Sequence, residues 1–219
     1  KRTLASAKID PMRIATLYGN NTEERRLVKI DRVPKLLVDR LQAVEDRNFQ
    51  NHIGIDPLGV ARAIYVNIRE VGFEQGASTL TQQLVRSLFL SNTKTITRKV
   101  KEALYALIIE ARFDKATILE AYLNQVYLGQ VGDQSIHGIA AGSDFWFGRD
   151  VADLQPQEIA LLIGLVQGPY YWDPRKHPER AQKRRTTVLN EFLEAGLLTP
   201  EQTAEAKQAP LGVVEKPIL

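Results

Sequence analysis

Two adjacent acids, Glu45-Asp46, followed by Phe49, His52 and Gly54, form the first group of residues that could do chemistry. The helical spacing of Leu37, Leu41 and Val44 runs into them, which puts Glu45 at a helix C-terminus. A carboxylate there faces the unfavourable end of the helix dipole, and this favours its taking a proton as a general base. Taken alone, the spacing fits a plainer reading better, a solvated acidic turn with Phe49 plugging the core.

The second group is Gly76-Ala77-Ser78-Thr79-Leu80-Thr81-Gln82-Gln83-Leu84-Val85-Arg86. On a helix, Thr79, Gln83 and Arg86 share one face, while Leu80, Leu84 and Leu88 make an apolar stripe. Ser78 is the expected N-cap. The free N–H groups of such a helix start suit an anion, and a row of amides and hydroxyls suits a sugar or phosphate; an ordinary capped helix would look the same. The third group is Lys94, Arg98, Lys99, Lys101 and Glu102. Arg98 and Lys99 share a helix face with Glu102 and could bind a pyrophosphate, although salt-bridged surface helices are common. Ile118 to Gly129, an amphipathic helix with a glycine stop, and Arg184-Arg185 with Val188-Leu189 read as scaffold.

These groups need a framework, and composition permits one. The chain has 219 residues, 44% hydrophobic and 25% charged, which allows one large domain with a buried core and argues against disorder. The absence of cysteine excludes disulfides, thiolate metal sites and a cysteine nucleophile. A net charge of +3 gives no polyanion signal, so no nucleic-acid partner is expected. Apolar runs such as Ile159 to Leu162 fall far short of the roughly 20 residues of a membrane span. Lys1-Arg2-Thr3 opens without a signal peptide's apolar stretch, and the chain reads by default as a fragment of a longer protein.

Ile14 to Tyr18 and Arg26 to Ile30 flank the turn-forming Gly19-Asn20-Asn21, which predicts a β-hairpin in a leading segment over 1–33. Pro34 suits a first helical position. Helices are expected from there to Phe49, from Pro57 to about Val71, from Ser78 to about Leu90, from Thr95 or Thr97 to Arg112, and from Asp114 to Gly129. Others are expected near 135–146, 156–167 and 178–195, and Thr199-Pro200-Glu201 starts a last one. The main domain spans 34–209, and 210–219 reads as a linker to a downstream domain. The architecture is mostly α.

In this order the five groups resemble the motif set of peptidoglycan glycosyltransferases, the domains of class A penicillin-binding proteins and of monofunctional glycan polymerases. The resemblance spans about Arg26 to Leu198. Its specific parts are Glu45-Asp46-x-x-Phe49-x-x-His52-x-Gly54 and Gly76-Ala77-Ser78-Thr79-x-Thr81-Gln82-Gln83, with Arg98-Lys99-x-Lys101-Glu102 in support. The hairpin and the basic isoelectric point resemble the bifunctional class A type. Arg86-Ser87 departs from the lysine and asparagine usual in the family. Arginine keeps the charge and adds bidentate phosphate geometry, whereas serine loses an amide, so position 87 is left out of the site.

The resemblance implies a mostly helical, lysozyme-like fold with a smaller membrane-facing lobe. It implies polymerisation of lipid II into β-(1→4)-linked glycan strands, with inversion and release of undecaprenyl pyrophosphate. Glu45 and Glu102 would be catalytic, the first as general base on the acceptor's 4-hydroxyl, the second organising Arg98 and Lys99 at the leaving pyrophosphate. Arg86 and Lys94 would add positive charge there. Asp46, His52, Thr79, Gln82 and Gln83 would position donor and acceptor, and Phe49 would shape the cleft. Inverting chemistry would hold the two carboxylates roughly 6.5–9.5 Å apart, by analogy with glycosidases. No metal ligand set is certain, and a divalent cation, Mg²⁺ or Mn²⁺, is the one cofactor left open.

The implied partners are lipid II, the growing glycan chain, the membrane surface and a covalently linked transpeptidase domain. The implied location is the outer, periplasmic face of a bacterial cytoplasmic membrane, with a single-pass anchor outside this sequence. Helix 57–71, with Val60, Ile64, Ile68 and Val71 in an apolar stripe, is the candidate for the membrane-facing lobe, although a buried core helix fits nearly as well. The rival function is a lysozyme-like hydrolase or lytic enzyme of the cell wall. Such an enzyme has no pyrophosphate to bind, so the cations at 94–101 discriminate against it. A dead scaffold binding lipid or partner proteins is opposed by the presence of both Glu45 and Glu102.

Overall fold

The computed structural model of the chain describes residues 22–57, 78–90, 93 and 95–215. The expected helix 57–71 beyond its first residue, the first arm of the expected hairpin and Lys94 lie outside the described residues. In chain order the elements are strand β1 (Thr22–Arg25), helices α1 (Lys35–Glu45), α2 (Leu80–Phe89), α3 (Ile96–Arg112) and α4 (Lys115–Gln125), strands β2 (Tyr127–Val131) and β3 (Gln134–His137), then α5 (Ile139–Phe147), α6 (Pro156–Val166), α7 (Pro178–Glu194) and α8 (Pro200–Gln208). The architecture is mostly helical, as the sequence predicts.

Side-chain caps set the helix starts. Thr79, not Ser78, caps α2: its hydroxyl accepts from the Gln82 N–H, and the Gln82 side chain accepts from the Thr79 N–H in return. Thr95, Asp114 and Thr199 cap α3, α4 and α8, each accepting from the N–H three residues on, and at α8 Gln202 bonds back in return. Pro34 stands one residue before α1 rather than at its first position. The buried stripe of α2 is Leu80, Leu84 and Val85, and Leu88 is 46% exposed.

Helix α6 is apolar on all sides and buried from Glu158 to Leu165, so it becomes the centre of the molecule. Helices α1, α5, α7 and α8 pack around it. Arg185 on α7 is fully buried because it donates to the carbonyls of Lys207, Ala209 and Pro210 at 3.2, 2.7 and 2.8 Å. These oxygens lie at the C-terminal end of α8, where intrahelical donors run out. Burial holds the Arg185 guanidinium below its usual pKa range.

Two sequence expectations change. Residues 26–29 form no strand, and Ile30 opens a short 3-10 turn. The Val28 N–H donates to Asn124 Oδ1 at 2.8 Å and the Ile30 N–H to Glu120 Oε2 at 3.0 Å, so α4 side chains replace a β partner. Those same bonds, the Ile30 N–H first and Lys29 next, hold the Glu120 carboxyl below the usual range. The second change is at 126–138. Helix α4 stops at Gln125, and β2 and β3 form an antiparallel hairpin in which Val131 pairs with Gln134. Its two-residue loop is Gly132-Asp133, with Gly132 at φ +55, a backbone conformation suited to such tight turns. The helix expected near 135–146 therefore begins only at Ile139. Strand β1 adds to β3 in parallel, giving the order β1-β3-β2.

Candidate active site

Glu45 is the last residue of α1, half-buried, with both carboxylate oxygens engaged. Gln83, on the first turns of α2, donates its amide to Oε2 at 3.1 Å. Gln167, which ends α6, donates to Oε1 at 3.4 Å. The Tyr122 hydroxyl of α4 reaches Gln83 Oε1 at 3.3 Å. Burial pushes the Tyr122 phenol well above its ordinary pKa, the Glu45 charge adds to this, and Arg86 opposes it. Arg86 lies three residues after Gln83 on the same helix face.

Beside this group opens a cleft of about 520 Å³. Gln83, Arg86, Ser87 and Leu90 line it from α2, Tyr122 and Gln125 from α4, and Val166 from α6. Its far side is made by Glu23, Tyr127 and His137 of the sheet, residues that the sequence did not single out. A glutamate at a helix end, two amides, an arginine and a tyrosine beside one cleft can accept a proton from a hydroxyl and hold an anion.

Asp46 turns away from the cleft. Its Oδ2 accepts from the Leu80 N–H at 3.0 Å, at the free start of α2, and from His52 Nε2 at 2.8 Å. His52 Nδ1 accepts from the Gly54 N–H at 3.0 Å, so the ring proton sits on Nε2 and points to Asp46. The Thr79 hydroxyl donates to Gly54 O at 2.7 Å. Gly54 has φ +100, and a Cβ built on it would lie 2.8 Å from Ala106 O of α3, so only glycine fits this crossing.

Phe49 is fully buried, edge-on to His52 at 5.9 Å, with Lys115 Nζ 4.5 Å from its ring centre. It belongs to the core beneath the loop rather than to the cleft wall. Lys115 also donates to His52 O at 2.6 Å and pairs with Glu110 at 2.7 Å, and Glu110 accepts from the Thr81 hydroxyl at 2.6 Å. Asp46, His52, Thr79 and Gln82, expected to position substrate, are buried and bonded to one another or to the backbone of Gly54 and Leu80. They fix where α1 ends and α2 begins, and through that where Glu45 and Gln83 meet.

Glu102 on α3 is fully buried and binds two cations: Arg98 Nη1 at 2.5 Å and Lys99 Nζ at 2.6 Å. Lys99 also donates to Ser78 Oγ at 2.6 Å, which ties this cluster to the start of α2. The face sharing read from the sequence is thus present. Among the described residues, no hydrogen bond or ion pair joins Glu102 to Glu45. Among the described residues both Glu102 oxygens are taken by cations, and no group of three or more acids and histidines gathers that could hold a divalent ion.

Among known families, residues 10–193 match the one described as Transglycosylase. The chain belongs to that family and is a peptidoglycan glycosyltransferase domain of the class A penicillin-binding type. Penicillin-binding protein 1B of Haemophilus influenzae is 45% identical over 215 residues, which are 98% of this chain and 27% of that protein. Penicillin-binding protein 1A of Aquifex aeolicus is 46% identical over 198 residues, 90% of this chain and 27% of the relative. The crystal structure of penicillin-binding protein 1A from Haemophilus influenzae aligns with a TM-score of 0.50 at 19% identity, over 88% of this chain and 18% of that one, and supports the fold alone. The chain spans about a quarter of the length of the curated relatives it matches.

Proposed function

We propose that this domain polymerises lipid II into β-(1→4)-linked glycan strands with inversion at the anomeric carbon. Glu45 takes the proton from the acceptor's 4-hydroxyl as that oxygen bonds to C1 of the donor sugar. The C1–O bond to the undecaprenyl pyrophosphate breaks, and its electron pair leaves on the pyrophosphate oxygen. Arg86, Lys94, Arg98 and Lys99 supply the positive charge that this leaving group requires, as fixed side chains rather than through a metal ion. Asp46, His52, Thr79, Gln82 and Phe49 act by positioning the loop that carries Glu45, and Gln83 acts on Glu45 directly.

The observation that carries this reading is a helix-end glutamate bonded to Gln83 of α2, the helix that also lines the cleft with a cation, Arg86. The rival hydrolase would share the glutamate but has no use for the Arg98–Lys99–Glu102 cluster.

No helix among the described residues is long and apolar enough to cross a membrane. The outer face of α3 nonetheless exposes Ile96, Val100, Leu104 and Ile108, four residues apart, at 85, 53, 54 and 49%. Phe89 and Tyr105, in edge contact at 6.3 Å, extend the apolar surface. This surface suits contact with the outer leaflet of a bacterial cytoplasmic membrane, where lipid II is presented. The full protein would carry a transpeptidase domain and a single-pass anchor besides.

The test is incubation of the purified domain with lipid II, reading undecaprenyl pyrophosphate release and polymer length. Linked production of both supports the reading. Cleavage of finished glycan without polymer formation would replace it with the hydrolase.

A further inference from the structure

We propose that Gln167 and Arg184 form a directional clamp that sets the orientation of the Glu45 carboxylate, acting as positioning residues. The inference rests on the reading of Glu45 as the base. It comes from an asymmetry between the two amides that hold this carboxylate.

On one side Gln83 donates to Oε2 and receives the Tyr122 hydroxyl on its own oxygen. A phenol can donate or accept, so Tyr122 does not dictate which way the Gln83 amide faces. On the other side, Arg184 Nη2 donates to Gln167 Oε1 at 2.6 Å. A guanidinium has donors only, so the Gln167 carbonyl must face Arg184. Its NH₂ is then left facing Glu45 Oε1, at 3.4 Å. That separation is long for a hydrogen bond, and catalytic bonds commonly tighten once substrate is bound.

Arg184 is itself held in place. Its stem lies flat on α6 where Gly164 leaves room: a Cβ at Gly164 would sit 2.8 Å from Arg184 Cγ. Its guanidinium carbon lies 6.0 Å from the Trp172 ring centre, and its buried Nε has no hydrogen-bond partner, which leaves the Nη groups to engage Gln167. The clamp therefore arises from α6 and α7, elements separate from the helix that carries Glu45. Among the described residues, Tyr122 from α4 feels the charges of both Glu45 and Arg86 of α2, and Arg184 from α7 reaches the carboxylate through Gln167. The neighbouring Asp46 is turned onto Leu80 and His52.

The amide donor holds the carboxylate in one orientation, so losing it lets the base turn away from its reacting geometry. Gln167 is exposed to water, which limits the effect.

The experiment measures kcat and KM on lipid II against pH for Gln167→Leu, Arg184→Leu, Arg184→Lys, Gly164→Ala and Glu45→Gln, with thermal melting of each. Gln167→Leu and Arg184→Leu should lower kcat about five- to tenfold with KM little changed. Arg184→Lys keeps a donor-only cation and should recover most of the loss, and Gly164→Ala should resemble Arg184→Leu. Parent-like kcat in Gln167→Leu and Arg184→Leu, with Glu45→Gln inactive, would overturn the clamp while leaving the base in place. Turnover by Glu45→Gln would overturn the assignment of the base, and the clamp with it.

Discussion

The Gln83 amide reaches Glu45 Oε2 across 3.1 Å although the two residues come from different helices and lie 38 positions apart. The position of Glu45 beside the cleft is thus set by α2 as well as by α1. Replacement by Gln keeps the shape and removes the base. Glu45→Gln should lower polymerisation by several orders of magnitude, while Gln83→Leu should cost about tenfold. Turnover of lipid II with unchanged melting temperature in Glu45→Gln would refute the assignment.

Removing the charge of Glu102 strands two cations. Because Glu102 is fully buried, Glu102→Gln should destabilise the fold by about 3 kcal/mol. Arg98→Ala and Lys99→Ala should lower kcat more than they raise KM, since negative charge on the leaving group grows mainly in the transition state. Steady-state kinetics and denaturant titration of the three variants check this. Titration with Mg²⁺ should leave the ratios between variants unchanged, and a Mg²⁺-dependent rescue of Glu102→Gln would argue for a metal at this site.

Gly54→Ala would put a Cβ against Ala106 O at a backbone angle of φ +100. Asp46→Ala would leave the Leu80 N–H and the His52 Nε2–H buried without an acceptor. Each should cost about 2–4 kcal/mol. Each should also lower activity at temperatures where the protein remains folded, because Glu45 and Gln83 lose their common anchor. Melting curves and activity measured below the transition separate the two effects.

Burial raises the Tyr122 phenol above its ordinary value of 10.0. The folded state then retains a proton that the unfolded chain gives up, so stability present below about pH 10 falls as pH rises further. Tyr122→Phe should reduce the drop in unfolding free energy between about pH 9 and about pH 11. Equal slopes in parent and variant would show that the phenol is not the cause.

The apolar face of α3 should bind lipid. Val100→Asp with Leu104→Asp changes two exposed positions and no buried one, so the fold should persist while co-flotation with anionic vesicles falls several-fold. Undiminished flotation of the folded double variant would exclude this face as the contact.

Helix starts were legible because their caps are local: Thr95, Asp114 and Thr199 bond to an N–H three residues on. The face shared by Arg98, Lys99 and Glu102 was legible for the same reason. The β2–β3 hairpin was not read, although Gly132-Asp133 is a hairpin-turn signal, because the helical pattern of α4 was carried through to Gly129. Asp46 was expected to position substrate beside the base Glu45, yet α1 ends between them and their side chains part. Gln167 could not be found at all, since it meets Glu45 across 122 positions and sits in no periodic pattern. Phe49 and His52 were recognised as a group, but only the packing shows that they lie in the core beneath the loop that follows Glu45.

The loop between α1 and α2 has a consequence for how the protein loses activity. Asp46 bridges the end of one helix to the first N–H of the next, His52 and Thr79 fasten Gly54, and Gly54 is wedged against α3. Such a knot has little freedom to open by itself; slow amide exchange belongs to segments of this kind, fast exchange to loosely packed loops. Glu45 is therefore moored beside a segment whose amides should exchange slowly. Heat or denaturant should abolish turnover together with the cooperative collapse of the helices, without an earlier stage in which an otherwise intact protein has lost its site.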